Sequence, residues 1–124
     1  MKYFKNLDIW QFGFQIANNC FEIVETFPGS EKWGLAIQIT KAGVSIPSNV
    51  AEGSTRSSEK DYNRFIEIAL GSAFELETQL LLSKARKLGK QDFIEKTLEL
   101  LDREQKMLIS FSAILQKKPF NRKS

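Results

Sequence analysis

The sequence contains few of the side chains on which enzymes commonly rely. Its 124 residues include no histidine and a single cysteine, Cys20, which excludes Ser–His and Cys–His nucleophile pairs, an internal disulfide and a cysteine-based zinc site. Neither GxxxxGK[ST] nor GxGxxG, the Gly-rich phosphate-binding motifs, occurs. Two pairs of nearby carboxylates are not placed for acid–base chemistry: Glu22 and Glu25 fall on the polar surface of a helix, and Glu75 and Glu77 fall on different helix faces. We therefore predict a protein that is not an enzyme and that binds neither a metal nor a cofactor.

A group of polar residues surrounds a proline in the predicted second helix. Its members are Ser45, Ser48, Asn49 and Glu52. Because Pro47 has no amide hydrogen and its ring meets the carbonyl of Gly43, the helix needs other groups to satisfy that carbonyl. We predict that the four residues form a structural polar network around this defect. The alternative is that they contact a ligand or nucleic acid together with Arg56.

Positive charge is concentrated in the second half of the chain. The net charge is +3, with −1 over residues 1–62 and +4 over residues 63–124. Such a bias is compatible with nucleic-acid binding, for which the candidate residues are Lys41, Arg56, Lys60, Arg64, Lys84, Arg86, Lys87 and Lys90. The last four are also explained by the favourable effect of cations at a helix C-terminus. In an oligomer, the repeated copies of these four would instead form a collar that binds phosphates.

Four amphipathic segments position these residues. Apolar side chains recur every three or four residues over about 8–27, 31–52, 59–88 and 91–117, which predicts helices, and no segment shows the alternation of a strand. Pro28-Gly29, Gly53 and Gly89 separate the segments, and Ser58 with Asp61 resembles a capping box. The predicted fold is all-α, an antiparallel up-down-up-down four-helix bundle with a Pro-kinked second helix. Residues 1–118 are predicted to form a single domain and residues 119–124 a flexible basic tail.

The first and fourth helices carry more apolar residues than one buried face requires. On the first helix, one stripe is Trp10, Phe14, Ala17, Phe21 and Val24, and the adjacent one is Ile9, Gly13, Ile16, Cys20, Ile23 and Phe27. An exposed stripe of this length is rarely tolerated by a soluble monomer. We predict an oligomer interface that includes Ile9, Ile16, Ile23, Phe27, Phe93, Met107 and Phe111. The alternative is wide packing inside one bundle, where Cys20 is expected to be a buried apolar residue.

The residues around Pro47 also resemble a known family. The run Ser45-Ile46-Pro47-Ser48-Asn49-Val50-Ala51-Glu52-Gly53, with Leu7, Ile9-Trp10-Gln11 before it and Ala69-Leu70-Gly71-Ser72 after it, is similar to the four helix bundle or 23S rRNA intervening-sequence proteins. This resemblance implies a cytosolic bacterial bundle that often assembles as a ring-like homopentamer. Some members are encoded within 23S rRNA genes, and related accessory proteins work with a reverse transcriptase and nucleic acid.

These observations favour a homo-oligomer, with RNA or DNA as its candidate partner, located in the cytoplasm. No run approaches the roughly 20 apolar residues of a membrane span, and the N-terminus lacks the apolar region of a signal peptide. The alternative function is a protein–protein scaffold in which the basic residues serve solubility alone.

Overall fold

Four α-helices make up most of residues 3–31 and 34–117, the part of the chain that this computed structural model describes. They are α1 (Asp8–Glu25), α2 (Leu35–Gly53), α3 (Glu59–Ala85) and α4 (Gln91–Leu115), with short 3-10 turns at Phe4–Asn6 and Gly29–Glu31. Within the described residues there is no β-strand, so the prediction of an all-α chain with four helices is confirmed. The predicted tail, 119–124, lies outside the described residues.

Local signals in the sequence account for the two ends of α3. Its first turn is capped by Ser58, whose Oγ accepts a hydrogen bond from the Asp61 amide at 3.1 Å, as the capping pattern predicts. At the other end, Lys87 rather than Gly89 takes the left-handed position that stops the helix, with φ 58°, and the amide of Leu88 donates to the Ser83 carbonyl. Gly89 also has a positive φ, 80°, so the turn into α4 contains two left-handed residues.

Each helix packs against the next one along the chain, and α4 also packs against α1. Polar contacts mark these packed pairs: Asn19 of α1 donates to Thr97 Oγ1 of α4 at 3.2 Å, and the Ser45 and Ser72 hydroxyls of α2 and α3 lie 2.7 Å apart. The contacts therefore fit a four-helix bundle. The alternating direction of the helices and the kink at Pro47 stay predictions; α2 is helical through Pro47.

The core consists of two apolar clusters, and on three of the helices a buried Gly, Pro or Glu residue lies between them. The larger cluster is Ile16, Cys20, Ile23, Phe27, Ala36, Ile39, Ala42, Ile46, Ala73, Leu76, Leu80, Ile94 and Leu101. The smaller cluster is Ile9, Val50, Ile66, Ala69, Leu108 and Leu115. Gly13, Pro47 and Glu104 fall between the clusters in sequence on α1, α2 and α4, and all three are buried. We call these three residues the middle layer.

Candidate functional site

An apolar groove lies on the surface between α1 and α2. Its lining residues are Trp10, Phe14, Ala17, Asn18, Phe21, Val44, Pro47, Ser48 and Ala51, around a volume of about 340 Å3. Phe14 and Phe21 each expose 54% of their surface, and Val44 exposes 40%. Trp10 stacks on Phe14 with ring centroids 5.2 Å apart, so the aromatic rings form a continuous face. We call this surface the α1–α2 groove.

The structure corrects the prediction of which α1 stripe faces outward. The four interface candidates on the first helix are buried inside the single chain: Ile9, Ile16, Ile23 and Phe27. Their stripe contains the small residues Gly13 and Cys20, and these allow close approach of other helices. A Cβ on Gly43 of α2 would lie 2.7 Å from Cys20 Sγ, and one on Gly13 would lie 3.1 Å from Glu104 Oε2. The stripe with small residues therefore enters the core, and the stripe with Phe14 and Phe21 remains outside.

The three interface candidates on α4 occupy a different side of the bundle. Phe93, Met107 and Phe111 are half-buried and pack against the core. Phe111 also makes an edge contact with Tyr62, with ring centroids 5.3 Å apart. Burial within one chain accounts for much of their apolar surface, and a role of these three residues in contacts with another chain stays a prediction.

A second exposed apolar surface lies along α3 and α4. Phe74 and Leu81 of α3 expose 47% and 48% of their surface, and Ile109 of α4 exposes 51%. Phe74 and Leu81 are seven residues apart and lie on the side of α3 that carries Glu77. Glu77 Oε1 accepts a hydrogen bond from Gln105 of α4 at 2.9 Å, so this side of α3 faces α4. Ile109 follows Gln105 by one helical turn. We call these three apolar residues the α3–α4 flank.

The predicted nucleic-acid residues do not converge in one chain. Arg56, Lys60 and Arg64 lie at the beginning of α3, whereas Lys84, Arg86, Lys87 and Lys90 lie at or beyond its end, about 40 Å away for a 27-residue helix. Lys41 is exposed on α2. Four of the eight form ion pairs: Arg56 with Glu52, Arg64 with Asp61, Lys84 with Glu95, and Lys90 with Glu22. A basic surface built from all eight would therefore need several chains.

The polar residues around Pro47 form a smaller network than predicted. Asn49 Nδ2 donates to the Ser45 carbonyl at 2.8 Å and to Ser45 Oγ at 2.9 Å, and Ser45 Oγ contacts Ser72 Oγ of α3. Ser48 is instead exposed in the α1–α2 groove, and Glu52 pairs with Arg56 on the surface. The sequence reasoning did not assign Ser72 to this network, although a serine in the small-residue run of α3 is a signal of close helix contact.

Glu104 is a buried acid that the sequence reasoning missed. Its side chain is fully buried, and both carboxylate oxygens lack a hydrogen-bond partner among the described residues. Burial raises the pKa of Glu104 to about 8. Glu104 follows Leu101 by three residues and precedes Leu108 by four, so the apolar repeat of α4 itself indicates an inward position. Cys20 is also buried, which raises the pKa of its thiol to about 12 and keeps it protonated.

The described residues contain neither a cluster of metal ligands nor a membrane-spanning helix. Within residues 3–31 and 34–117, no group of three or more His, Cys, Asp or Glu residues is placed to hold a metal ion. No helix in the same ranges is long and apolar enough to cross a membrane. The distinguishing features of the described chain are therefore its exposed apolar faces and its buried polar residues.

The fold and these faces place the chain in the class of four-helix proteins with extensive exposed apolar surface. The chain belongs to the family described as 23S rRNA-intervening sequence protein, whose sequence model matches residues 5–110, which confirms the resemblance. It is similar to the crystal structure of a protein of unknown function from the S23 ribosomal protein family of Bacteroides thetaiotaomicron VPI-5482, with 25% sequence identity and a TM-score of 0.69. The match covers 84% of this chain and 94% of that one. No curated protein matches the chain significantly.

Proposed function

We propose that this chain is a non-enzymatic, homo-oligomeric accessory protein of the cytoplasm that associates with RNA or DNA, and that its assembly is a pentameric ring. The observation that carries the proposal is the α1–α2 groove, in which Phe14 and Phe21 remain half-exposed in a single chain. Aromatic side chains bury a large apolar area when they are covered, so a second protein surface on this groove stabilises an assembly.

The positions of the two apolar surfaces favour a ring over a two-fold dimer. We infer that the helices alternate in direction, because Asn19 near the end of α1 contacts Thr97 near the beginning of α4. In such a four-sided bundle the α1–α2 groove and the α3–α4 flank lie on opposite sides. A groove on one side that receives a flank from the next copy makes a head-to-tail contact, and such contacts close into a ring when the rotation from one copy to the next is a whole fraction of a turn. We also infer a bend at Pro47, which cannot donate to the Gly43 carbonyl.

Nucleic-acid association is supported by charge and by the family. The chain has a net charge of +3 and belongs to a family named for intervening sequences of 23S rRNA. A ring repeats each exposed cation once per subunit, so Arg86 and Lys87, which form no ion pair within the described residues, would recur around it. Repeated cations at fixed spacing release several counterions when a phosphate backbone binds.

Light scattering on a sizing column tests the assembly. One chain has a mass of 14.2 kDa, so a pentamer has a mass of about 71 kDa, five times that value. The double variant Phe14→Gln/Phe21→Gln is expected to dissociate toward the monomer. Each glutamine would bury its polar amide against the apolar surface of the neighbouring chain, which costs free energy. Ile68→Gln is the matched control, since Ile68 is 49% exposed but belongs to neither surface. A wild-type particle of single-chain mass at micromolar concentration would contradict the proposed assembly.

A titration of RNA and DNA binding against salt tests the second half of the proposal. We expect binding at about 50 mM salt that weakens steeply as the salt concentration rises. Absence of binding at that concentration, or binding that does not change with salt, would remove the nucleic-acid role and leave the oligomer.

One observation favours the alternative, a protein–protein scaffold. Four of the eight basic candidates are already neutralised by carboxylates of the same chain, including Lys84 by Glu95 at 2.6 Å. If these cations serve solubility alone, the apolar surfaces are the functional feature. A stoichiometric protein partner that is recovered equally well after nuclease treatment would support the scaffold over the nucleic-acid role.

A further inference from the structure

We propose, on the basis of the nucleic-acid role above, that the groove between α1 and α4 holds a single strand of nucleic acid. The groove has a volume of about 420 Å3, and its lining residues are Gln15, Asn19, Phe93, Lys96, Glu99, Leu100 and Arg103. None of the eight basic residues chosen from the sequence lines it. We call this surface the α1–α4 groove.

Two cations on the α4 wall are placed over aromatic rings rather than against carboxylates. Arg103 Cζ lies 4.7 Å from the centroid of the Phe12 ring, and Lys96 Nζ lies 5.5 Å from that of Phe93. Within the described residues neither cation forms an ion pair, unlike Lys90, which binds Glu22. A cation over a ring is held in position while its charge remains available to an anion.

The spacing of these cations fits the repeat of a nucleic-acid strand. Lys96 and Arg103 are seven residues apart, so they lie on the same side of α4, separated by about 10.5 Å along the helix axis. Three steps of a strand with stacked bases rise about 10 Å. Two phosphates of one short segment can therefore reach both cations, and the plane of the Arg103 guanidinium group offers a surface on which a base stacks.

The remaining polar residues of the groove suit base edges better than phosphates. Gln15 and Asn19, one helical turn apart on α1, carry amides that both donate and accept hydrogen bonds. Asn19 uses its amide nitrogen to bind Thr97, which leaves its carbonyl oxygen as an acceptor. Glu99 lies between the two cations on α4, where it repels a phosphate but accepts a hydrogen bond from the amino group of a base such as cytosine.

This combination favours a nucleic-acid strand over an acidic peptide. An acidic peptide would also bind Lys96 and Arg103, and Glu99 repels its carboxylates as it repels phosphates. Such a peptide has no base amino group to donate to Glu99 and no base to stack on the Arg103 guanidinium group. The groove also lies on a side of the bundle that neither the α1–α2 groove nor the α3–α4 flank occupies. The proposed ring therefore leaves the α1–α4 groove uncovered in every subunit.

Fluorescence anisotropy with labelled oligo-C and oligo-U single strands tests the assignment on the full chain. The groove variant is Lys96→Gln/Arg103→Gln, and the matched control is Lys5→Gln/Lys117→Gln, which removes two exposed cations that neither line the groove nor belong to the eight candidates. Circular dichroism and sizing confirm that both variants fold and assemble. We expect the groove variant to weaken binding roughly tenfold or more and to lower the slope of log K against log salt by about 1.4, at about 0.7 for each cation.

The outcomes separate this assignment from the proposed function. Support requires the control variant to bind within about twofold of wild type and oligo-C to bind more tightly than oligo-U, a preference that Glu99→Ala removes. If wild type binds in a salt-dependent way and both variants lose the same affinity, or the groove variant loses none, the groove assignment falls and the nucleic-acid role stands. If wild type binds no strand, both fall. If a polyglutamate peptide binds as tightly as RNA and only the groove variant loses it, the groove is a peptide site.

Discussion

Glutamine at position 104 should stabilise this protein, and more so as the pH rises. In the wild type, burial without a hydrogen-bond partner raises the pKa of Glu104 from 4.5 to about 8. The folded chain therefore keeps this carboxyl protonated at neutral pH, where the unfolded chain releases the proton. Glu104→Gln keeps the shape of the side chain and removes its ionisation.

The sign and size of the effect follow from proton linkage. Below pH 4.5 both states hold the proton, so the full stability of the fold is present. Between pH 4.5 and about 8 only the unfolded state loses it, and stability falls as the pH rises. At 1.36 kcal/mol for each pH unit, the difference between the two pKa values lowers the free energy of unfolding by about 5 kcal/mol above pH 8 and by about 3 kcal/mol at pH 7. Glu104→Gln should raise the free energy of unfolding by most of these amounts.

Urea denaturation at pH 4.5, 7 and 9, with a fixed protein concentration, measures this effect in both proteins. The fixed concentration matters because the stability of an oligomer depends on it. Glu99→Gln, which removes an exposed carboxyl from the same helix, is the control and should follow the wild-type profile. If the free energies of unfolding of wild type and Glu104→Gln differ by the same amount at all three pH values, Glu104 is not a buried neutral acid and the reasoning fails.

Two further substitutions test the turns that bound α3. Gly89→Ala should destabilise the fold by about 2 kcal/mol or more, because Gly89 has a φ of 80° and a Cβ there would lie 2.7 Å from the Ile23 carbonyl oxygen and from the Phe27 ring. Gly71→Ala is the control, since a Cβ on Gly71 meets nothing within 4 Å. In thermal unfolding, this control should instead stabilise the fold by up to about 1 kcal/mol. Ser58→Ala should cost about 1 kcal/mol, since it removes the acceptor for an amide in the first turn of α3, and Ser58→Asp should restore it. An unchanged midpoint for Ser58→Ala would show that the cap contributes nothing.

The helices and most of their boundaries could be predicted because they depend on local chemistry, although the second helix begins at Leu35, four residues after its predicted start. The three-and-four spacing of apolar residues, the Ser58 cap and the glycines between segments each act within a few residues. The stop of α3 was less predictable. A lysine, Lys87, occupies the left-handed position ahead of Gly89, and the φ of a lysine is decided by the packing of the whole turn rather than by its type.

The faces of α1 could not be assigned because both stripes are equally apolar in sequence. The choice depends on which stripe allows another backbone to approach, and here Cys20 against Gly43 decides it. A weighting of small residues over bulky ones would have given the correct face. Glu104 was missed for a related reason, since its charged type outweighed its position in the repeat. The ion pairs of the basic residues depend on partners such as Glu22 and Glu95, which are distant in the sequence.

The division of the core by the middle layer has a consequence for how the molecule opens. Cooperative unfolding depends on continuous apolar contact, and the Glu104 carboxyl, which is buried without a hydrogen-bond partner, interrupts that contact between the two clusters. The half around Ile9, Val50 and Leu108 contains the smaller cluster, so its amides should exchange with solvent by local opening while the other half stays closed. Trp10 packs on this softer half, which means that one end of the aromatic groove adjusts its shape at low energetic cost when a neighbour docks.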